Sequence, residues 1–221
     1  MPSPAQAADQ IVRCCRQLWA AGLIAGQDGN LSVRVGADRL LVTPRGRLKA
    51  DLAPADLVLV DLAGNRIGGF REATSELHLH LMIHGFRPDA GAVIHAHPPA
   101  ATGLALAGEG LPGDLLPEIT LLFGDVPVVP YAQPGTPELS QAVEPYLVGR
   151  AGLLLANHGA VTWGKDLPAA QIRMESMEHA ARILLAARQA GRVHRLTPMQ
   201  VQALTGPQEN PGHDQADRGQ R

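Results

Sequence analysis

Apolar positions recur along the chain with two different periods. From about Ala5 to Ala21 they fall three or four apart (Ala8, Ile11, Val12, Cys15, Leu18, Trp19) and stop at Gly22, which predicts an amphipathic helix. "NLSVRV" and "RLLVTP", joined by "GAD", predict two strands and a hairpin turn, and "DLVLVDLAGNRI" a further strand closed by a Gly-Asn turn. "TSELHLHLMIHGFRP" opens on Thr-Ser before an apolar-periodic run and predicts a helix ended by Pro88.

"GAVIHAH" predicts a buried strand, and "PPAATGLALAG" a helix with proline in its first turn. "VPVVPYA" predicts a strand, and "TPELSQAVEPYL" a helix capped by threonine. "AGLLLANHGAVTWG" predicts two strands bent at Asn-His-Gly. The longest helix is expected from about Leu167 to Gly191, with a last short one at "LTPMQVQAL". Hairpins mixed with helices, without strict strand–helix alternation, predict an α+β fold with a mainly antiparallel sheet in layers. One domain is expected over residues 1–205, and a disordered polar tail over 206–221, where "TGPQENPGHDQADRGQR" offers almost no apolar residue.

Composition narrows the classes. The chain has 221 residues, 45% hydrophobic and 18% charged, which is long and apolar enough for a real core. Aromatics are 3%, so the core must be Leu, Val, Ile and Ala. A formal charge of −2 gives no reason to expect nucleic acid or an anionic membrane as partner. "MPSPAQAADQIVRCC" does not have the pattern of a secretory signal, no apolar run reaches membrane-spanning length, and adjacent Cys14 and Cys15 suit a reducing compartment. A cytoplasmic location is expected.

"VIHAHPPA" carries the chemistry. His95 and His97, two apart on a strand, point to the same face and suit one metal ion, though such a pair also suits packed, hydrogen-bonded side chains. His158, in "LLLANHGAV", lies at a second strand end beside a Gly-containing bend. Three imidazoles leave open coordination positions, as catalytic zinc needs and structural zinc does not. His80 and His84 share a helix face, which fits a hydrated or hydrogen-bonded surface better than a second metal pair. "DGNLS" and "ATSE" offer glycine, hydroxyls and helix-start amides for an anion, or simply a turn and a cap.

"GNLSVR", "LVTPRG", "SELHLHL…RPDAGAVIHAH" and "LLANHGAVTWG", in this order, resemble the class II aldolase/adducin family from about residue 8 to 190. The resemblance implies a three-layer αβα fold and a homotetramer with sites between subunits. It implies one Zn2+ per subunit on His95, His97 and His158, with Glu76 as acid/base beside the metal or as an extra ligand. Gly29, Asn30, Thr74 and Ser75 resemble the family's phosphate loops. Arg45 and Gly46 of "TPRG" stand in another of them, where arginine would also suit a carboxylate. Glu118 stands in a region where some branches carry an acidic residue, and is either a second acid/base or a solvated loop glutamate.

The implied activity is that of a zinc-dependent aldolase or lyase acting through an enediolate on a small ketose, sugar phosphate or sugar acid. Epimerase, dehydratase and decarboxylase chemistries are variants of the same centre. A non-catalytic, adducin-like assembly module is the alternative from another class.

Overall fold

The computed structural model describes residues 1–206; the rest of the segment expected as a tail lies outside the described residues. Helix α1 (Pro4–Ala20) is capped by Ser3, whose hydroxyl accepts from the Gln6 amide, and buries Ile11, Cys15 and Leu18 along one stripe. Trp19, expected in that stripe, lies at its edge and is 37% exposed. Cys14 and Cys15 are free and buried on α1, and burial pushes both thiols up, that of Cys15 to about 12.

The strands are β1 (Asn30–Arg34), β2 (Arg39–Val42), β3 (Val58–Asp61), β4 (Arg66–Gly68), β5 (Ala92–Ala96), β6 (Val128–Val129), β7 (Gly152–Leu155) and β8 (Gly159–Gly164). They form one sheet in the order β4-β3-β2-β1-β5-β8-β7-β6. Every pairing is antiparallel except β6 with β7. The strand expected over "VPVVPYA" shrinks to two residues because Pro127 and Pro130 flank it and have no N–H for the ladder.

Helices cover both faces, giving the three-layer α+β arrangement expected. On one face, α1, α3 (Pro99–Leu106) and α6 (Leu167–Ala190) pack on Leu31, Val33, Ile94, Ala96 and Ala160. On the other, α2 (Leu77–Phe86) and α5 (Pro137–Val143) pack on Val93, Val161 and Trp163. Two short helices complete the set, α4 (Pro117–Leu122) and α7 (Pro198–Thr205). The sequence pattern gave no assignment for α4, six residues long with Pro117 at its start. No helix among the described residues is long and apolar enough to cross a membrane.

The alternation along β1 positions the site. Leu31 and Val33 point to the α1–α6 core, so Asn30, Ser32 and Arg34 point towards α2 and are buried there. His95 is the cross-strand partner of Asn30 and faces the same side. The sheet therefore carries a buried polar stripe at its centre.

Candidate metal centre

His95 and His97 project to one face as their spacing predicts, and the turn between β7 and β8 brings His158 to them. Their ring centroids lie 5.0, 4.6 and 5.2 Å apart, and one ligand nitrogen from each falls within 4.8 Å of the others. Nε2 of His95 and Nε2 of His97 lie 3.1 Å apart. Tetrahedral bonds of about 2.0–2.1 Å put two nitrogens on one zinc roughly 3.3 Å apart.

Local chemistry fixes each ring. His95 is fully buried, and its Nδ1–H donates to the Ala160 carbonyl at 2.9 Å, which turns Nε2 towards the cluster. His97 follows β5 and is held by its backbone amide, which donates to Leu23 O at 3.2 Å. Asp28 Oδ2 lies 3.5 Å from its Nδ1. His158 follows Asn157, which takes a left-handed φ of 56°. Gly159 comes next, and a Cβ there would sit 2.5 Å from Ala96 O and 2.6 Å from His97 Cδ2. Only glycine lets the turn lie against His97.

Glu76 occupies the position just before α2, 7% exposed and turned inward. Its Oε2 lies 3.0 Å from His95 Nε2 and accepts from Asn30 Nδ2 at 2.8 Å. Its Oε1 lies 3.2 Å from His158 Nε2, outside hydrogen-bond alignment, and is a buried oxygen with no hydrogen-bond partner; His158 Nδ1 is a buried nitrogen in the same condition. Buried atoms without a protein partner on two side chains of the same cluster fit a site that a ligand would complete.

The electrostatics agree. Burial pushes the Glu76 carboxyl up, but the positive charge of His95 and the nearby His158 outweigh it, so the group lies well below the ordinary carboxylate range. Burial pushes His95 down, but the Glu76 carboxylate outweighs it and raises the imidazole above its ordinary value. Positive charge is therefore stabilised at the centre of the cluster. Burial, with repulsion from His95 and His158, pushes His97 down to about 4, so near neutral pH that ring keeps a lone pair for a cation.

The cluster opens into a polar cavity of about 240 Å³. Gly29, Asn30, Arg45, Gly46, Thr74 and Ser75 all line it, together with Glu76, His97 and His158. Several of these are already engaged. Asn30 gives its carbonyl oxygen to His80 and one amide proton to Glu76, leaving its second amide proton for a ligand. Thr74 Oγ1 accepts from the Glu76 amide at 3.3 Å. Ser32, read as a donor in "DGNLS", is fully buried against α2 and does not line the cavity.

Glu118 does not join the site of its own chain. It is an exposed acid in the first turn of α4 and is not among the residues lining the cavity. His78, His179 and His194 are exposed and outside the cluster as well; His213 lies outside the described residues. Sequence reasoning missed Lys49. It is 2% exposed, lines the cavity, and donates from Nζ to Gln27 O and Arg47 O at 2.8 and 2.9 Å. Burial pushes its amine down. A lone lysine in "RLKADL" gives no warning of that position.

The profile of the family described as "Class II Aldolase and Adducin N-terminal domain" matches residues 9–185. The chain is 41% identical over 160 residues to a 5-methylthioribulose-1-phosphate/5-deoxyribulose-1-phosphate aldolase of Rhodospirillum rubrum, covering 72% of each chain. It is 30% identical over 198 residues to a 3-oxo-tetronate 4-phosphate decarboxylase of Haemophilus influenzae, covering 88% of this chain and 93% of that one. A solved L-fuculose 1-phosphate aldolase superposes with a TM-score of 0.86 at 32% identity, over 92% of this chain and 96% of the other. With this fold and these matches, the chain belongs to the class II aldolase/adducin family.

Proposed function

We propose that the chain is a zinc-dependent aldolase or lyase that makes or breaks a carbon–carbon bond beside the carbonyl of a small, anionic hydroxy-ketone. The single observation that carries this reading is the convergence of His95, His97 and His158 beside a buried carboxylate at the mouth of a polar cavity. In this proposal the three imidazoles hold one divalent ion per subunit. When bound, the ion supplies Lewis-acid polarisation of a substrate carbonyl.

The protein's own residues do the rest. Glu76 is the acid/base, and its free Oε1 is the atom that takes a proton from the carbon next to the carbonyl or returns it. Oε2, pinned by Asn30, keeps the carboxylate from rotating. Arg45, with the backbone at Gly29 and Gly46 and the hydroxyls of Thr74 and Ser75, receives the substrate's phosphate or carboxylate at the cavity rim. Lys49 adds a buried positive charge beneath that rim. Glu118 has no part in this reading.

The named relatives support the substrate class, since both act on small phosphorylated keto compounds by name. A cytoplasmic homotetramer with sites between subunits completes the proposal. The metal histidines distinguish this reading from a non-catalytic assembly module, which needs no converging imidazoles.

Elemental analysis of wild type and His97→Ala, with deuterium exchange by NMR into dihydroxyacetone phosphate, dihydroxyacetone and glycolaldehyde, tests it. The expectation is about one zinc per chain in wild type, loss in the variant, and Glu76-dependent exchange into the phosphorylated compound. Equal, near-zero metal in both proteins would overturn the reading.

A further inference from the structure

The buried polar stripe of β1 has a counterpart on α2. Asn30, Ser32 and Arg34 are two apart on the strand, and Glu76, His80 and His84 are four apart on the helix. Two strand residues advance about 6.6 Å and four helical residues about 6.0 Å, so the two stripes stay in step over their whole length. Asn30 contacts Glu76 and His80, at 2.8 and 2.6 Å. Ser32 Oγ lies between His80 Nδ1 and His84 Nε2, at 2.7 and 2.8 Å. Arg34 donates to the His84 carbonyl at 2.7 Å, and His84 Nδ1 faces Ala90 O at 3.1 Å. His80 and His84 are 0% and 1% exposed, so no solvent competes for these contacts.

The direction of the chain follows from its end at Glu76. An ionised carboxylate only accepts, so Asn30 turns its NH2 edge to Glu76 and its carbonyl oxygen to His80. His80 must then carry its proton on Nε2 to donate to that oxygen. Its Nδ1 accepts from the Ser32 hydroxyl, whose lone pairs are left facing His84. The far end, Ala90 O, is also an acceptor. With two neutral imidazoles one contact lacks a proton, and it falls at His84, the member farthest from Glu76.

We propose that His80 and Ser32 are positioning residues for the acid/base carboxylate: by fixing the Nε2–H tautomer of His80 they lock the Asn30 amide with its donor edge on Glu76 Oε2, leaving Oε1 to carry the proton. This rests on the role given to Glu76 above. A flipped Asn30 would set its carbonyl oxygen against the carboxylate and swing Glu76 out of line, while His95, His97, His158 and Arg45 keep their own side chains unaltered.

The test uses the zinc-loaded full chain. Side-chain 15N spectra of wild type are expected to give His80 a single Nε2–H pattern and Asn30 a slowly exchanging amide pair. His80→Phe removes the donor to Asn30, and a loss of kcat of tenfold or more is expected with KM and zinc content within twofold of wild type. His80→Gln keeps a donor near the Nε2 position and should restore most of that loss. Ser32→Ala, which deletes one oxygen and challenges folding least, should show a smaller kcat loss and a faster-exchanging Asn30 amide.

Equal kcat losses in His80→Phe and His80→Gln, both folded and zinc-bound, would overturn the proposal. So would a wild-type His80 protonated on Nδ1. The tautomer is read without turnover: Nε2–H His80 in a protein that catalyses no exchange would count against the function proposed for Glu76 and leave the lock in place.

Discussion

Acid should destabilise the apoprotein through the two histidines of the buried stripe. Burial pushes both down to about 3, with added repulsion from His84 and His95 on His80 and from Arg34 on His84. A histidine depressed in the folded state binds fewer protons there than when unfolded. Its stabilising contribution is full above the unfolded value near 6.5 and is lost as pH falls towards 3. Each missing proton is worth about 1.4 kcal/mol per pH unit, so from pH 6.5 to about pH 5 each histidine removes on the order of 1–2 kcal/mol, and the pair about 3 kcal/mol. Against a typical total of about 5–15 kcal/mol, that is a large loss.

Other groups fall outside this window or act in the same sense. Glu76 and Asp56 are depressed carboxylates, and their contributions are lost only below about pH 4.5. His95 is raised, and its contribution is lost only as pH climbs above 6.5. His97, pushed down to about 4, adds to the acid loss. Urea unfolding in chelator, at several pH values from about 6.5 to 5, measures the slope in wild type and in His84→Gln. The variant should lose on the order of 1–2 kcal/mol less than wild type over that window, whatever its stability at neutral pH. Identical slopes would show that His84 takes up its proton in the folded protein, and the reasoning from burial would fail.

Three more outcomes follow from single contacts. Gly159→Ala drives a methyl group into Ala96 O and the His97 ring, so zinc affinity should fall roughly 10–100-fold in competition with a coloured chelator, while a circular dichroism spectrum stays native. Glu178, 3% exposed on α6, accepts from the amides of Ala100 and Ala101 at the start of α3 and from Arg182; Glu178→Gln should cost about 1–3 kcal/mol and lower Tm in a thermal melt. Arg45→Ala should raise KM for a phosphorylated substrate roughly tenfold with kcat nearly unchanged, and equal effects on dihydroxyacetone and its phosphate would deny Arg45 the anion.

How far the chain could be read depended on whether a feature showed in one segment or needed two. The helices α1, α2 and α6 and the β1–β2 hairpin announce themselves by local periodicity, and so does the common facing of His95 and His97. His158 was legible because an apolar strand ending on Asn-His-Gly has few uses for a histidine. The engagement of Ser32 was not. "NLSVRV" alternates like a strand with a solvated side, and nothing within it tells that α2 covers that side. The signal existed as a pair: polar residues two apart in β1, and Glu76, His80 and His84 four apart in a helix otherwise rich in leucine and isoleucine. Glu118, read either as an acid/base or as a solvated loop residue, is exposed in its own chain, whereas Lys49 drew no reading and lines the cavity, since the paths of the loops around α4 and before β3 decide which charge reaches it.

The pairing of those stripes also explains why so polar a layer sits where leucine and valine would pack. Burying a polar side chain is costly unless every donor and acceptor is met, and a well-packed apolar substitute is commonly neutral or stabilising. Between β1 and α2 nearly every contact is met, yet the proton count leaves one short at His84. A layer selected for stability alone would end on a donor. It ends on two acceptors because the Glu76 end is fixed as a carboxylate, and the mismatch is carried to the end where it disturbs the cavity least. Replacing Ala90 O as an acceptor is impossible by mutation, and His84→Gln offers one donor edge and one acceptor edge, as the neutral imidazole does, so the count is unchanged. That variant should therefore stay within about 1 kcal/mol of wild type near neutral pH by urea unfolding, whereas a loss above about 2 kcal/mol would mean that the imidazole is satisfied as it stands.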